Sequence, residues 1–229
     1  MASAYGKVGR MSSLIFYTDE QQALVATDTL AMSYDGKPFL YTTKAILVPH
    51  LHLLVCTTGV SGILTRWFLQ INDGMLVRDV DHLNVHTPHT LDVLWRAYKE
   101  ELAIPDDVTG TVYYFGFSVT ERVIHAYAYR SVHQFRSETI PYGVSTRPVL
   151  PVAGTYDLPK DIKKMMDAQR AFQATLPREE RVSIGGEIQI HHLTAKGCNV
   201  YTLDRFDDYE ADERAIYENF RQSHSPDAS

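Results

Sequence analysis

The sequence lacks any run of 18 or more apolar residues, so it offers no candidate for a membrane-spanning helix. Its best apolar stretch, residues 45–60, is interrupted by Pro49, His50 and His52. Residues 1–10 carry two basic side chains but not the apolar segment that a secretory signal requires. We therefore expect a soluble, cytoplasmic protein with no membrane partner.

Positive charge and cysteine are also scarce. Lys and Arg number 22 against 28 Asp and Glu, and the net charge of −6 argues against the basic surface that nucleic acid binding needs. The two cysteines, Cys56 and Cys198, lie in apolar strand-like segments, where small buried side chains are more common than a disulfide. Histidine clusters such as His50 with His52 have no Cys or Glu partners at the spacing of a zinc site. We therefore predict no nucleic acid partner, no metal and no cofactor.

The apolar residues that are present follow two periodicities. Residues 13–17 and 23–27 are β-prone runs on either side of a polar turn, which predicts a hairpin at the start of the chain. Further strands are predicted at residues 38–47, 51–57, 111–119, 123–129 and 135–144, with a last hairpin at 184–193 and 198–203. Helices are predicted at residues 63–71, 87–102 and 159–176, and in the acidic segment that begins at residue 204.

The predicted second helix has a recognisable start. Thr87 is a favourable N-cap residue, and Pro88 suits the first helical position because it needs no backbone N–H there. We therefore expect this helix to begin at residue 87 and to continue to Leu102.

Runs of strands followed by paired helices occur twice along the chain, which favours a layered α+β domain over an alternating βαβ fold. With 229 residues and 45% hydrophobic content, the chain can bury the core of one such domain. We predict an extension at residues 1–11, one domain at residues 12–203 and an acidic helix with a tail at residues 204–229. Two antiparallel sheets between two helical layers would satisfy this order of elements.

Four residues in the first part of the chain are the main candidates for a catalytic site. Asp28 follows Ser12 by 16 residues at the end of the second predicted strand, and Lys44 follows it by 32 residues within the third. Gly59 lies at the turn between the fourth strand and the first helix, where a backbone amide can face a developing oxyanion. If the strands pair in sequence order, these residues meet at one end of one sheet.

This order and spacing resemble those of the proteasome β-subunit family, within the N-terminal-nucleophile (Ntn) hydrolase superfamily. Residues 24–28 resemble the apolar strand of that family that ends in Asp, and residues 58–62 take the place of its glycine turn. Residues 184–190 are similar to a glycine-containing strand start in the bacterial two-component relative of the proteasome. The resemblance covers roughly residues 12 to 203 and implies a four-layer αββα sandwich.

The resemblance also implies roles for these residues. Ser12, as the first residue of a processed chain, would be the nucleophile, and its own α-amine would act as general base. Lys44 would keep the site electropositive, Asp28 would fix Lys44, and the Gly59 amide would bind the oxyanion. Ser13 is the alternative nucleophile if the register shifts by one residue.

Three further residues are weaker candidates. Ser145 is the nearest match to the small-residue turn of the family, where a serine hydroxyl supports the site. Glu180 and Ser183 keep the spacing of a late Asp and Ser in the family.

The expected function is cleavage of peptide or amide bonds by an N-terminal serine, in a ring or another homo-oligomer. An unfoldase partner is left open. Ser12 is preceded by Met11, whereas self-cleaving precursors of the family usually have Gly there. Initiation at Met11 followed by methionine removal would expose Ser12 by a second route. Two alternatives remain: a non-catalytic proteasome-like scaffold that keeps Asp28 and Lys44 as a structural ion pair, and an amidase acting on small molecules.

Overall fold

The computed structural model describes residues 13–33, 36–60, 62–150 and 156–223. Its twelve strands within these ranges are β1 (Leu14–Thr18), β2 (Gln22–Asp28), β3 (Leu30–Met32), β4 (Pro38–Tyr41), β5 (Ala45–Val48), β6 (Leu53–Thr58), β7 (Thr111–Phe117), β8 (Ile124–Arg130), β9 (Ser137–Thr139), β10 (Gly143–Arg147), β11 (Glu187–Thr194) and β12 (Gly197–Arg205). The four α-helices there are α1 (Ile63–Gly74), α2 (Val80–Glu101), α3 (Ile162–Ala174) and α4 (Tyr209–Ser223).

The strands form two antiparallel five-stranded sheets and one small hairpin. Sheet A has the order β10-β1-β2-β11-β12, and sheet B has the order β5-β6-β7-β8-β9. The hairpin β3–β4 lies between β2 of sheet A and β5 of sheet B along the chain. The chain therefore changes sheets immediately after Asp28.

The side chains of β1 show how the layers are built. Leu14 and Phe16 belong to the cluster between the two sheets, where Phe16 contacts Phe115 at a ring-centroid distance of 4.9 Å. Ile15 points to the opposite face of sheet A, as strand alternation requires, and packs in the cluster that contains Met166 of α3. A third cluster buries Trp67 of α1 and α2 residues against sheet B. The predicted four-layer αββα sandwich is confirmed.

The predicted start of the second helix is wrong. The helix α2 begins at Val80, and its N-cap is Asp79, which accepts hydrogen bonds from the His82 and Val119 amides. Pro88 lies inside the helix, where its missing N–H removes one backbone hydrogen bond. Burial of Val80 and of other residues in the first turns offsets that loss, which the local sequence could not show.

Two predicted strands each divide into two. Residues 38–47 form β4 in the small hairpin and β5 in sheet B, with a break at residues 42–44. Residues 135–144 form β9 in sheet B and the first part of β10 in sheet A. Pro141 lies between the two strands, and β10 begins at Gly143, whose φ is 122°. Proline cannot donate to a strand ladder, so this segment changes sheets instead of continuing. The short strand β3 was not predicted.

None of the helices in the described ranges combines the length and the apolar character needed to cross a membrane. The predicted helix of the acidic tail is present as α4, and residues 224–229 of that predicted segment lie outside the described ranges, as do residues 1–11.

His191 of β11 gives the fold a testable acid sensitivity. The residue is 3% exposed, and burial lowers the pKa of its imidazole from 6.5 to about 4. The unfolded chain therefore binds a proton between these pH values that the folded chain does not bind. We expect the free energy of unfolding to fall as the pH drops from about 6.5 to about 4, by at most roughly 3 kcal/mol from this residue.

Urea denaturation across that pH range tests this expectation. The substitution His191→Leu should remove most of the pH dependence of the free energy of unfolding. The substitution His192→Leu, on the opposite and more exposed face of β11, should keep that dependence. Equal slopes in the wild type and the His191→Leu variant would show that another group causes the acid sensitivity.

Candidate functional site

Asp28, the last residue of β2, is the centre of the candidate site. It is fully buried, and both of its carboxylate oxygens accept hydrogen bonds. Oδ1 accepts from the Ser13 amide at 2.7 Å and from Lys44 Nζ at 2.8 Å, and Oδ2 accepts from the Gly185 amide at 3.0 Å. One carboxylate therefore joins the start of β1, the segment before β5 and the segment before β11.

Lys44 is the positive partner of this carboxylate. The residue is 4% exposed, and its Nζ also donates to the Leu30 carbonyl oxygen at 2.8 Å. Burial lowers the pKa of Lys44 below its ordinary value, while the charge of Asp28 and its hydrogen bond act in the opposite direction. The site thus holds a buried lysine whose charge is balanced by the Asp28 carboxylate.

The predicted position of Lys44 inside a strand is wrong. Lys44 lies in the bend between β4 and β5, and its carbonyl oxygen accepts a hydrogen bond from the Thr57 amide of β6 at 3.3 Å. This bend allows the side chain to reach back to Asp28 across the crossing between the sheets.

The loop before β11 wraps around the end of β2. The Thr29 and Leu30 amides donate to the Gly185 carbonyl oxygen, and the Glu187 amide donates to Thr29 Oγ1 at 2.8 Å. Gly186 has φ of 81°, and a Cβ atom there would lie 2.4 Å from Thr29 Oγ1. Only glycine fits this conformation and this close approach.

Ser13 is held at two atoms. Its amide donates to Asp28, and its hydroxyl donates to Gln169 Oε1 of α3 at 2.5 Å. No hydrogen bond among the described residues joins the Ser13 hydroxyl to Lys44. The geometry therefore does not favour Ser13 as the alternative nucleophile. Ser12, the leading candidate, lies outside the described residues.

Gly59 directly follows β6, as predicted. It has φ of 102°, and a Cβ atom there would lie 2.4 Å from the Thr109 carbonyl oxygen. Gly59 is two residues beyond Thr57, the residue hydrogen-bonded to the Lys44 backbone, which corresponds to about 7 Å of extended chain. The turn therefore lies at the same end of the sandwich as the Asp28–Lys44 pair.

The three weaker candidates are not brought to this pair. Ser145 is paired with Phe16 in the β10–β1 register, three residues and about 10 Å along the strand from Ser13. Glu180 is exposed at the end of a short 3-10 helix, and Ser183 is half-buried two residues before Gly185. In the described part of the chain, no hydrogen bond connects any of the three with Asp28 or Lys44.

Two contributors were missed by sequence reasoning. The Gly185 amide is a backbone group, so no side-chain pattern could reveal its role. Gln169 did leave a signal, because it occupies the buried face of α3 together with Met165 and Met166. A polar residue at such a position requires a buried hydrogen-bond partner.

Comparisons with known proteins give a structural match but no sequence match. No model of a known protein family matches the chain, and no curated protein matches its sequence. Among solved structures, Anbu (ancestral beta-subunit) from Yersinia bercovieri superposes with a TM-score of 0.55 at 13% sequence identity. The match covers 96% of this chain and 99% of that one. The chain has a proteasome-like fold.

This proteasome-like fold places Asp28 and Lys44 at the point where the chain leaves sheet A for sheet B. Within the described residues, no group of three or more His, Cys, Asp or Glu side chains is arranged to hold a metal ion. The groups that the described residues bring together at this end of the sandwich are a buried lysine, a carboxylate and backbone amides.

Removing the charge of Lys44 should destabilise the fold strongly. The substitution Lys44→Met leaves the Asp28 carboxylate buried without its ionic partner, and we expect a loss of about 3–5 kcal/mol in the free energy of unfolding. The control Lys160→Met removes an exposed ion pair with Asp157 and should leave the free energy of unfolding nearly unchanged. Chemical denaturation measures the free energy of unfolding of both variants. Similar losses would show that the buried pair contributes no more stability than an exposed pair.

The turn before β11 offers a second test. Gly186→Ala adds a Cβ against Thr29 Oγ1 and the Leu30 amide at a positive φ, whereas Gly143→Ala adds one at φ of 122° with no atom within 4 Å. Both variants carry the conformational strain of about 1–3 kcal/mol, but only Gly186→Ala adds a steric clash. We expect thermal denaturation to show a clearly larger loss for Gly186→Ala, and equal losses would contradict a tightly packed turn at Asp28.

Proposed function

We propose that the chain is a proteasome-like Ntn hydrolase that cleaves peptide or amide bonds with Ser12 as its N-terminal nucleophile. The observation that carries the proposal is the hydrogen bond from the Ser13 amide to Asp28 Oδ1, the same oxygen that binds Lys44 Nζ. A peptide bond joins Ser12 to that amide nitrogen, so covalent geometry alone holds the Ser12 Cα about 2.4 Å from it. The buried ion pair is therefore within one residue's reach of the proposed nucleophile.

In the proposed reaction, the Ser12 hydroxyl attacks the carbonyl carbon of the substrate and its proton passes to the α-amine of the same residue. An α-amine with an ordinary pKa of about 7.7 to 8.0 is neutral often enough near pH 7 to accept it. Lys44 contributes positive charge beside the developing oxyanion, and Asp28 holds Lys44 in place. The Gly59 amide is the proposed oxyanion donor.

The remaining steps return the enzyme to its starting state. The protonated amine gives its proton to the leaving nitrogen as the carbon–nitrogen bond breaks, which leaves an ester on Ser12. Water, deprotonated by the same amine, then hydrolyses that ester and releases the acid. Assembly into a ring or another homo-oligomer belongs to the proposal because related subunits enclose their sites in a chamber.

A non-catalytic scaffold is the second candidate, and one observation favours it. Asp28 and Lys44 form a buried, hydrogen-bonded pair that joins three segments of the fold without any contribution from a free N-terminus. Such a pair needs no catalytic reason to exist. An amidase acting on small molecules would use the same chemistry as the peptidase on a smaller substrate.

The state of the N-terminus decides between hydrolase and scaffold. The intact mass and N-terminal sequence of the protein expressed from its natural gene should show a chain that begins at Ser12. A chain that keeps Met1 or Ala2 has no free amine on Ser12, and the scaffold would then be the better explanation.

Activity measurements complete the test. For a chain that begins at Ser12, we expect Ser12→Ala to lower the cleavage rate of fluorogenic peptide amides by more than about a thousand-fold, since the nucleophile is lost. The control Ser145→Ala, on β10, should leave the rate unchanged within about two-fold. Cleavage of small amides but not of peptides would favour the amidase, and retained activity in Ser12→Ala would exclude Ser12 as the nucleophile.

A further inference from the structure

Gln169 is a fully buried polar side chain whose two ends contact different segments of the fold. Its Oε1 accepts the hydrogen bond from the Ser13 hydroxyl, and its Nε2 donates to the Pro148 carbonyl oxygen at 2.8 Å. One side chain of α3 therefore joins the residue before β1 to the residue that follows β10.

These bonds complete the fixation of Ser13. Asp28 fixes the Ser13 amide nitrogen, Gln169 fixes its hydroxyl, and the β1–β2 and β1–β10 ladders begin at Leu14. With its nitrogen, its side chain and the following residue all held, Ser13 has little freedom to rotate. These contacts hold the amide nitrogen to which Ser12 is bonded.

We propose that Gln169 is a positioning residue for the catalytic N-terminus. It touches neither substrate nor reacting atoms, and it acts by orienting Ser13 and, through the peptide bond, the nucleophile attached to it. This inference rests on the proposed hydrolase function. A misplacement of about 1 Å at a reacting group can lower a rate by 10²-fold, so an anchor one residue from the nucleophile has a large influence.

A purely structural role makes a different prediction for paired substitutions. If Gln169 serves only to satisfy the Ser13 hydroxyl in the core, replacing both partners by apolar side chains should restore the activity and the part of the stability that is lost with the Ser13–Gln169 hydrogen bond, because neither partner is then left unpaired. The Pro148 carbonyl oxygen loses its donor in the single and in the double variant alike. If Gln169 positions Ser13, the apolar pair restores the same part of the stability, but the Ser13 side chain has lost its anchor and the rate stays low.

The test compares Gln169→Met, the double variant Ser13→Ala with Gln169→Met, and Gln173→Met. Gln173 is the matched control, since it is one turn further along α3, 5% exposed, and accepts a single hydrogen bond from the Val182 amide at 2.7 Å. Steady-state cleavage of a fluorogenic peptide amide gives kcat and KM, thermal denaturation gives stability, and hydrogen exchange of the Ser13 amide reports its anchoring.

We expect kcat to fall about 10- to 100-fold in Gln169→Met and in the double variant, with KM changed by less than about three-fold and stability partly recovered in the double variant. Gln173→Met should lose stability but keep kcat within about three-fold of the wild type. A double variant with wild-type kcat, or an equal fall of kcat in Gln173→Met, would overturn the proposal.

The same measurements distinguish failure of the proposed hydrolase function from failure of the anchoring role of Gln169. If the wild-type protein, with Ser12 at its N-terminus, cleaves no peptide amide, the proposed function fails and hydrogen exchange alone tests the anchor. Faster exchange of the Ser13 amide in Gln169→Met than in Gln173→Met would support the anchoring role. Unchanged exchange in Gln169→Met would overturn it.

Discussion

A carboxylate and an ammonium group lie buried together where β2 ends and β5 begins, and neither charge could be buried alone without a penalty of several kcal/mol. Because the strands that carry them belong to different sheets, this requirement fixes how the chain crosses from one sheet to the other. The bend before β5 and the glycine turn before β11 each bring a hydrogen-bond donor to Asp28, and the hairpin β3–β4 lies along the chain between the two sheets. The surrounding sandwich keeps Asp28 and Lys44 buried from solvent.

The buried Asp28–Lys44 pair also contacts the residue that follows the proposed nucleophile. Strand β1 is an interior strand of sheet A, so its position is set by ladders on both sides. The residue before it is held at its nitrogen by Asp28 and at its hydroxyl by Gln169. A nucleophile at the residue before Ser13 would be attached to a rigid anchor, as precise nucleophilic attack requires. The same contacts would equally stabilise a scaffold, so the chemistry of the N-terminus, and not the packing, separates the two functions.

Burial explains which of the candidate residues the structure brings together. Asp28 and Lys44 lie together because a carboxylate and a lysine at the ends of apolar segments must pair when both are buried. Ser145 is a candidate through its place in a small-residue turn, and Glu180 and Ser183 are candidates through their spacing; neither criterion requires a buried partner. Gln169 had a detectable signal in the apolar face of α3, but its partner is 156 residues away, and no local pattern identifies a partner at that distance.

The layered α+β architecture and most of its strands and helices follow from local sequence patterns, because periodicities of two and about 3.6 residues are local properties. The sequence also placed Asp28 at the end of β2 and Gly59 after β6. The start of α2, where Asp79 caps the helix and Val80 is buried, depends on tertiary contacts, and so does the division of residues 38–47 and 135–144 between sheets. Those outcomes depend on long-range burial and on hydrogen bonds between distant segments, which a local sequence pattern does not contain.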